Sequence, residues 1–168
     1  NDAKQAQAII EKLLADNVTV VMDRGYNDCS LFAWLSQRGT TFVTRLKDNA
    51  VTTPLKKGCL SEGDNYGDYR FEFDSPAGRK ACGDLQFRVV QWHDKDNDRW
   101  FDFLTNDKDL KPEQIAALYK ERWQIELFFK KIKQNLKIKS FIGTNENAVM
   151  SQIWTAAIVT LLIEKLKQ

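Results

Sequence analysis

Residues 18–45 read Val-Thr-Val-Val-Met-Asp-Arg-Gly-Tyr-Asn-Asp-Cys-Ser-Leu-Phe-Ala-Trp-Leu-Ser-Gln-Arg-Gly-Thr-Thr-Phe-Val-Thr-Arg, and this stretch decides the fold. It begins with a β-branched apolar run at 18–22, which is typical of a buried central strand. Asp28 or Ser30 then opens a helix, and a second strand follows at 41–45. A strand, a helix and a strand with short connections indicate parallel α/β packing.

The rest of the chain predicts helices on both sides of a β-rich middle. Apolar residues recur at the helical period over 2–16. From about 49 to 105, glycine, aspartate and alternating segments dominate, which indicates mostly antiparallel β structure. Pro112 then stands near the first turn of one long helix to about Leu136, and a final helix covers about 145–166.

Composition is that of a globular chain, since 168 residues that are 43% hydrophobic can bury a core. The net charge of +2 does not by itself indicate nucleic acid, so the position of the charges matters more. Three cysteines without a Cys-x-x-Cys pair and one histidine make no zinc site and indicate reduced thiols. The apolar run at 153–163 is too short to span a bilayer, so we expect a cytoplasmic protein without a membrane.

Polar side chains recur at helical spacing within the predicted long helix. At about 100° per residue, Tyr119, Arg122, Glu126 and Lys133 fall within about a sixth of the helix circumference. Cations of this kind neutralise phosphate, and a carboxylate supplies oxygen for Mg²⁺ or Mn²⁺. The same spacing also fits a solvated helix face with an ion pair from Arg122 to Glu126. The residues alone leave both interpretations open.

The spacing Tyr-x2-Arg-x3-Glu-x6-Lys at 119–133 resembles the signature of the IS4-type DDE transposases. Asp23-Arg24-Gly25-Tyr26, after the strand at 18–22, is similar to the strand end that carries the second Asp of that family's Asp-Asp-Glu triad. The resemblance implies a ribonuclease-H-like α/β core interrupted by a mostly antiparallel β insertion. It covers nearly the whole chain.

This implied architecture divides the chain into three parts. Residues 1–48 would form the first part of the catalytic core, 49–105 the β insertion, and 106–168 the C-terminal helical part of the core. The family's first Asp lies on a strand well upstream of the second, whereas only about 22 residues precede Asp23. We therefore expect a fragment that lacks the N-terminal part of the enzyme and is inactive alone.

The resemblance also implies roles for individual residues in two-metal phosphoryl transfer. Asp23 and Glu126 would be catalytic metal ligands, with two Mg²⁺ or Mn²⁺ ions expected in the full-length enzyme. Tyr119, Arg122 and Lys133 would hold transposon-end DNA near the cleavage site.

Further DNA contacts are expected from strand ends and from an aromatic side chain. Arg24 and Arg45 follow strand ends and would track the DNA backbone. Trp100, or its neighbour Phe101, would hold a base flipped from the transposon end, unless it is an ordinary strand aromatic that faces the core. The apolar residues that follow Arg122 are expected mostly to build the core: Trp123, Ile125, Leu127, Phe128 and Phe129.

The implied function is metal-dependent DNA cleavage and strand transfer in cut-and-paste transposition. We expect a homodimer on DNA, because joining two transposon ends needs two active sites brought together. Two alternatives stay open on the sequence. One is a ribonuclease-H-like nuclease without strand transfer, and the other is a catalytically inactive DNA-binding module.

Overall fold

The computed structural model describes residues 2–13, 18–46, 59–73, 75–135 and 145–166, and a six-stranded sheet lies at its centre. Its strands are β1 (Thr19–Met22), β2 (Thr41–Arg45), β3 (Cys59–Gly63), β4 (Tyr66–Phe71), β5 (Phe87–Asp94) and β6 (Arg99–Thr105). They lie in the order β1-β2-β6-β5-β4-β3. β1 and β2 are parallel, as predicted, and the other neighbours are antiparallel. The fold is therefore mixed α/β with a mostly antiparallel sheet.

The helices are α1 (Asp2–Leu13), α2 (Cys29–Gln37), α3 (Pro76–Cys82), α4 (Pro112–Glu121), α5 (Trp123–Asn135) and α6 (Glu146–Leu166). Asp28 caps α2 by accepting hydrogen bonds from the Ser30 and Leu31 amides at 2.8 and 3.1 Å. The sequence prediction missed α3, which lies inside the β-rich middle. There the Ser75 hydroxyl accepts a hydrogen bond from the Gly78 amide, and Pro76 occupies a first-turn position that suits its fixed backbone.

The sheet buries apolar side chains on both of its faces. On one face, Phe42 and Leu104 pack with α2 and α3 around Phe32. On the other face, Val43 and Phe103 pack with Ile115, Tyr119 and the rest of α4. Because successive strand residues point to opposite faces, the adjacent pairs 42/43 and 103/104 each serve both layers. We call these the α2 face and the α4 face.

The β-rich middle of the chain is joined directly to the first strands. β6 pairs with β2 so that Thr105 lies opposite Val43. The Thr105 hydroxyl donates to the Phe42 carbonyl at 2.5 Å, and the Asn106 side chain accepts from the Phe42 amide at 2.9 Å. The strands between residues 59 and 105 thus extend the sheet begun by β1 and β2. The three-part division at 48/49 and 105/106 stays a prediction.

The single helix predicted from Pro112 to about Leu136 is wrong, because α4 ends at Glu121 and α5 begins at Trp123. Arg122 lies between them, and its amide bonds the Tyr119 carbonyl three residues back at 3.1 Å. α4 contacts the sheet, whereas α5 contacts α6. The chain accordingly divides here into two compact units, the sheet unit through Arg122 and the helical unit from Trp123. The two helices pack against different partners, which explains the break between them. The local sequence does not explain it, because the polar residues keep their helical spacing from Tyr119 to Lys133.

α6 confirms the final helix predicted over about 145–166, but its apolar segment is longer than the run at 153–163. Its window Glu146–Ile163 has a mean hydropathy of 1.3, enough by length and composition to cross a membrane. The run at 153–163 taken alone is shorter than a bilayer requires. The Asn145 side chain caps this helix by accepting from the Ala148 amide at 2.8 Å.

Candidate active site

Asp23 stands at the carboxyl end of β1, where the chain turns away from the sheet. One carboxylate oxygen accepts a hydrogen bond from the Gly25 amide at 2.9 Å, and the Asp23 carbonyl accepts from the Tyr26 amide at 3.0 Å. These bonds form a short 3₁₀ turn over Arg24–Tyr26. The Asp23 side chain remains 45% exposed, so the turn holds the carboxylate in place without covering it.

The turn after Asp23 is fastened to the end of β2. The Asn27 amide group donates to the Thr44 hydroxyl at 3.2 Å and to the Arg45 carbonyl at 3.0 Å. The Thr44 hydroxyl in turn donates to the Asp23 carbonyl at 3.4 Å. The sequence prediction named neither Asn27 nor Thr44. The available signal was the hydroxyl of Thr44 within the strand predicted at 41–45, because a hydroxyl that becomes buried needs a hydrogen-bond partner. Asn27 and Thr44 fix the two strand ends relative to each other.

Arg122 reaches Asp23 from the end of α4. Its guanidinium lies 3.2 Å from a carboxylate oxygen of Asp23, and the Arg122 side chain is only 14% exposed. Its Cζ atom also lies 5.3 Å above the centre of the Tyr119 ring. Asp23 and Arg122 are separated by about a hundred residues in sequence, so only the packing of α4 against the sheet brings them together.

The Tyr119 ring is packed against its neighbours, and its phenol hydroxyl is protonated. The ring is 8% exposed and lies 4.9 Å from the Phe103 ring, centre to centre. Burial raises the pKa of the Tyr119 phenol, and the Asp23 charge raises it further, while the charges of Arg122 and Arg45 lower it. At neutral pH the hydroxyl is therefore a hydrogen-bond donor. Such a packed ring anchors α4 and is not available for base stacking.

The two predicted aromatic candidates lie on opposite faces of the sheet. Phe101 lies on the α4 face, where the Arg45 guanidinium is 4.7 Å above its ring. Trp100 points to the α2 face, is 54% exposed, and stacks on His93 at 4.8 Å. The structure thus brings Asp23, Arg45, Tyr119 and Arg122 to one place, whereas Trp100 faces away from them.

The remaining predicted residues are placed less fully. Arg24 is exposed in the 3₁₀ turn beside Asp23. Glu126 is exposed in the first turn of α5, which belongs to the helical unit. Lys133 also belongs to α5, and its side chain lies outside the described residues. The approach of Glu126 and Lys133 to Asp23 therefore stays a prediction.

The described residues supply only part of a metal site. Mg²⁺ prefers six oxygen ligands in octahedral geometry, of which proteins provide one or two carboxylates. Within the described ranges, no three His, Cys, Asp or Glu side chains come together as a ligand group. The exposed Asp23 carboxylate suits one such ligand position, and Arg122 already balances its charge. These residues fit one ligand of a divalent ion, and they do not make a two-metal centre.

Comparison with known proteins places the chain in a family. The model of the transposase DDE domain matches residues 1–162. The chain is 34% identical over 168 residues to "Putative transposase y4zB" of Sinorhizobium fredii, covering 97% of this chain and 46% of that protein. It is 31% identical over 154 residues to "Probable transposase for insertion sequence element IS5377" of Geobacillus stearothermophilus, covering 91% of this chain and 40% of that protein.

A third relative has a similar overlap. The chain is 31% identical over 172 residues to "Putative transposase for insertion sequence element IS4SA" of Synechocystis sp., covering 99% of this chain and 46% of that protein. The chain thus spans about half the length of the curated relatives it matches. Since the family model covers nearly the whole chain, this protein belongs to the transposase DDE domain family.

Proposed function

We propose that this chain is part of the catalytic domain of an insertion-sequence transposase, which in the whole protein cleaves DNA and transfers the strand. Family membership supports the reaction class. The observation that carries the proposal is the ion pair of Asp23 with Arg122 beside Tyr119, since it joins a carboxylate to phosphate-binding groups at a strand end. Acidic and cationic groups held together in this way suit the handling of a phosphodiester.

Asp23 is proposed to act as a metal ligand, with Glu126 as the second ligand from this chain. DDE transposases use divalent metal ions, here proposed to be two Mg²⁺ or Mn²⁺ ions. When bound, such ions activate an attacking oxygen and stabilise the leaving one. The part that Asp23 plays is to present its oxygen at a fixed point, because the Gly25 amide and the Asn27 contacts hold the strand end.

Arg122, Tyr119 and Arg45 are proposed to receive the DNA backbone. A guanidinium makes two parallel hydrogen bonds to a phosphate, which fixes orientation as well as charge. Arg122 is largely buried and packed on a ring, so little side-chain freedom is lost when it binds. The protonated Tyr119 hydroxyl can donate to a phosphate oxygen. Arg24 and Lys133 are proposed as further backbone contacts.

The whole protein is proposed to act on transposon-end DNA as a homodimer in the cytoplasm. Two transposon ends must be joined in one event, which requires two active sites side by side. The relatives' printed descriptions as insertion-sequence transposases support this setting.

The test is a comparison of cleavage and strand transfer by the full-length protein, with Asp23→Asn and Glu126→Gln as variants. A duplex carrying the element's end serves as substrate, and a plasmid serves as target. We expect metal-dependent cleavage followed by strand transfer in the wild type, and neither in the two variants. Arg38→Ala, on the α2 face, is the matched control and should retain both steps.

Other outcomes would point to the alternatives. Cleavage without joined products would favour a nuclease of the same fold. DNA binding without cleavage would favour an inactive binding module. Full activity in Asp23→Asn would remove Asp23 from the catalytic residues.

A further inference from the structure

Phe101 carries two guanidinium groups on one ring. The Cζ atom of Arg45, from the end of β2, lies 4.7 Å from the ring centre. The Cζ atom of Arg99, from the start of β6, lies 5.7 Å from the same centre. Both contacts lie within the range of cation–π attraction, which orients each cation over the ring. Phe101 therefore brings two cationic side chains to one ring.

Ring contacts connect the two arginines and Phe101 to the candidate active site. Phe101 stacks on Phe103 at 6.0 Å, and Phe103 contacts Tyr119 at 4.9 Å. Arg122 then lies over Tyr119 and pairs with Asp23. Every step lies on the α4 face of the sheet unit. A series of three rings with arginines at both ends thus runs from Asp23 toward the hairpin formed by β5 and β6.

An acidic side chain also lies at this end of the hairpin. Asp94 lies opposite Arg99 in the pairing of β5 with β6. Its two carboxylate oxygens are used within the hairpin turn, by the Asn97 side chain at 2.7 Å and the Asp96 amide at 3.1 Å. The Asn97 bond also lowers the pKa of Asp94. Its geometry is therefore set by the turn.

The spacing of the two arginines suits a DNA strand. Since both contact one ring, their Cζ atoms are no more than about 10 Å apart. A strand of B-DNA carries one phosphate per 3.4 Å of helix axis, so nearby phosphates can meet both groups. An arginine that stacks on a ring still presents its N–H edge for hydrogen bonding.

We infer that Arg99, Arg45 and Phe101 form a phosphate-binding site for the DNA strand that leads away from Asp23. We call it the Phe101 site. The inference deepens the proposed function and rests on it, and it adds Arg99 and Phe101 to the residues that bind DNA.

The test measures how the affinity of this 168-residue chain for a labelled DNA duplex depends on salt. Each phosphate contact contributes about 0.9 to the slope of log affinity against log salt concentration. Arg99→Ala should reduce that slope by about one unit, because the Arg99 side chain is exposed and its loss leaves the core intact. In the background of Phe101→Leu, Arg99→Ala should reduce the slope by less, because the ring that positions the Arg99 guanidinium is already absent.

Arg38→Ala is the matched control. Arg38 also lies over an aromatic ring, at 4.9 Å from Trp34, but it directly follows α2, on the other face of the sheet. Its removal should leave the slope unchanged. If Phe101→Leu does not fold, Arg99→Lys replaces it: charge and slope should be kept, while affinity falls with loss of the planar group.

Three results would overturn part or all of this inference. An unchanged slope in Arg99→Ala, with a reduced slope in Arg122→Ala, would remove the Phe101 site and leave the proposed function standing. Equal loss in Arg99→Ala and Arg38→Ala would show general charge attraction in place of a site. A wild-type chain without salt-dependent DNA binding would overturn both the site and the DNA contacts proposed above.

Discussion

The sheet unit and the helical unit bury their apolar residues to very different degrees. In the sheet unit, Phe32, Phe42 and Leu104 are almost completely buried between helices and strands. In the helical unit, most large apolar side chains are exposed: Trp123, Ile125, Leu127, Phe129, Met150, Trp154, Ile158, Leu161 and Leu162. The expectation that the residues after Arg122 mostly build the core is therefore wrong. An apolar composition yields a core only where several elements converge.

The pattern of α6 explains part of this difference. Its apolar residues lie all round the helix, whereas an amphipathic helix confines them to one stripe. A single neighbour such as α5 can cover only one side of such a helix. By contrast, α4 places Ile115 and Tyr119 on one side, against the sheet. Burial thus follows the number of packing partners more than hydrophobicity.

The prediction with the largest expected effect concerns a buried ion pair in the sheet unit. Arg88 and Asp68 form a buried, two-pronged ion pair with bonds of 3.1 and 2.6 Å, and Arg88 also donates to the carbonyls of Asp107 and Leu110 just before α4. Arg88→Met leaves the Asp68 charge and both carbonyls without partners. We expect the free energy of unfolding to fall by about 3–5 kcal/mol or more in urea denaturation.

Arg70→Met is the control for this change, since Arg70 lies opposite Arg88 in the sheet but is exposed. It should change stability by less than about 0.5 kcal/mol. A loss below about 1 kcal/mol in Arg88→Met would mean that this pair does not hold the segment before α4.

The second prediction compares the two units directly. Phe42→Ala should cost about 3–5 kcal/mol, because it removes a fully buried ring from the α2 face. Trp154→Ala removes a larger ring that is 62% exposed, and should cost within about 0.5 kcal/mol. Thermal and urea unfolding of both variants provide the measurement. Comparable losses would show that the apolar residues of α6 are covered in solution.

The third prediction concerns a pair of thiols between α2 and α3. A hydrogen bond with the Cys82 thiol lowers the pKa of Cys29 to about 7, against the effect of burial. The Cys82 thiol also contacts the Cys29 carbonyl at 3.4 Å. In a Cys59→Ala background, alkylation of Cys29 should therefore rise with pH through about 7. Adding Cys82→Ala should move that midpoint upward toward the ordinary thiol value.

The lowered pKa of Cys29 also determines how the free energy of unfolding changes with pH. Ionised Cys29 contributes to folding above its ordinary pKa, and this contribution is lost as the pH falls through about 7. An alkylation midpoint that is the same with and without Cys82 would contradict the proposed hydrogen bond. The contact of the Cys82 thiol with the Cys29 carbonyl and the apolar packing would then remain between α2 and α3.

The prediction with the smallest expected effect tests whether the helical unit takes part in DNA binding. Arg122→Ala in the sheet unit and Lys133→Ala in the helical unit should each weaken DNA binding and reduce the salt slope by about one unit. Fluorescence anisotropy over a salt series measures both. A change in Arg122→Ala alone would confine DNA contacts to the sheet unit, and an unchanged slope in both would show that neither residue touches DNA.

Much of the sheet unit could be predicted from local patterns. The β-branched run before Asp23, the Asp28 cap and the strand at 41–45 each have a near-neighbour cause, and β1, α2 and β2 were confirmed. α3 was missed because its Ser-Pro start lies among turn residues. The break at Arg122 was missed because helical spacing does not reveal which partner each turn packs against.

Packing partners are also what the sequence does not reveal about the candidate site. Strand alternation predicts that Trp100 and Phe101 point to opposite faces, but it does not say which face receives α4. The sequence could therefore name both and choose neither. Likewise, it placed Asp23 at a strand end and Arg122 on a helix, without the ion pair that joins them.

By itself, the sequence determined most local elements and the resemblance to a transposase family, and it named candidate residues whose chemistry suits phosphate or metal, because these depend on near neighbours and on fixed motif spacing. Only the tertiary structure decided which of those residues meet. The Asp23–Arg122 and Asp68–Arg88 pairs and the contact of Arg45 with Phe101 all join separate strands and helices. Their contacts depend on sheet order and on the docking of α4, which no local pattern encodes.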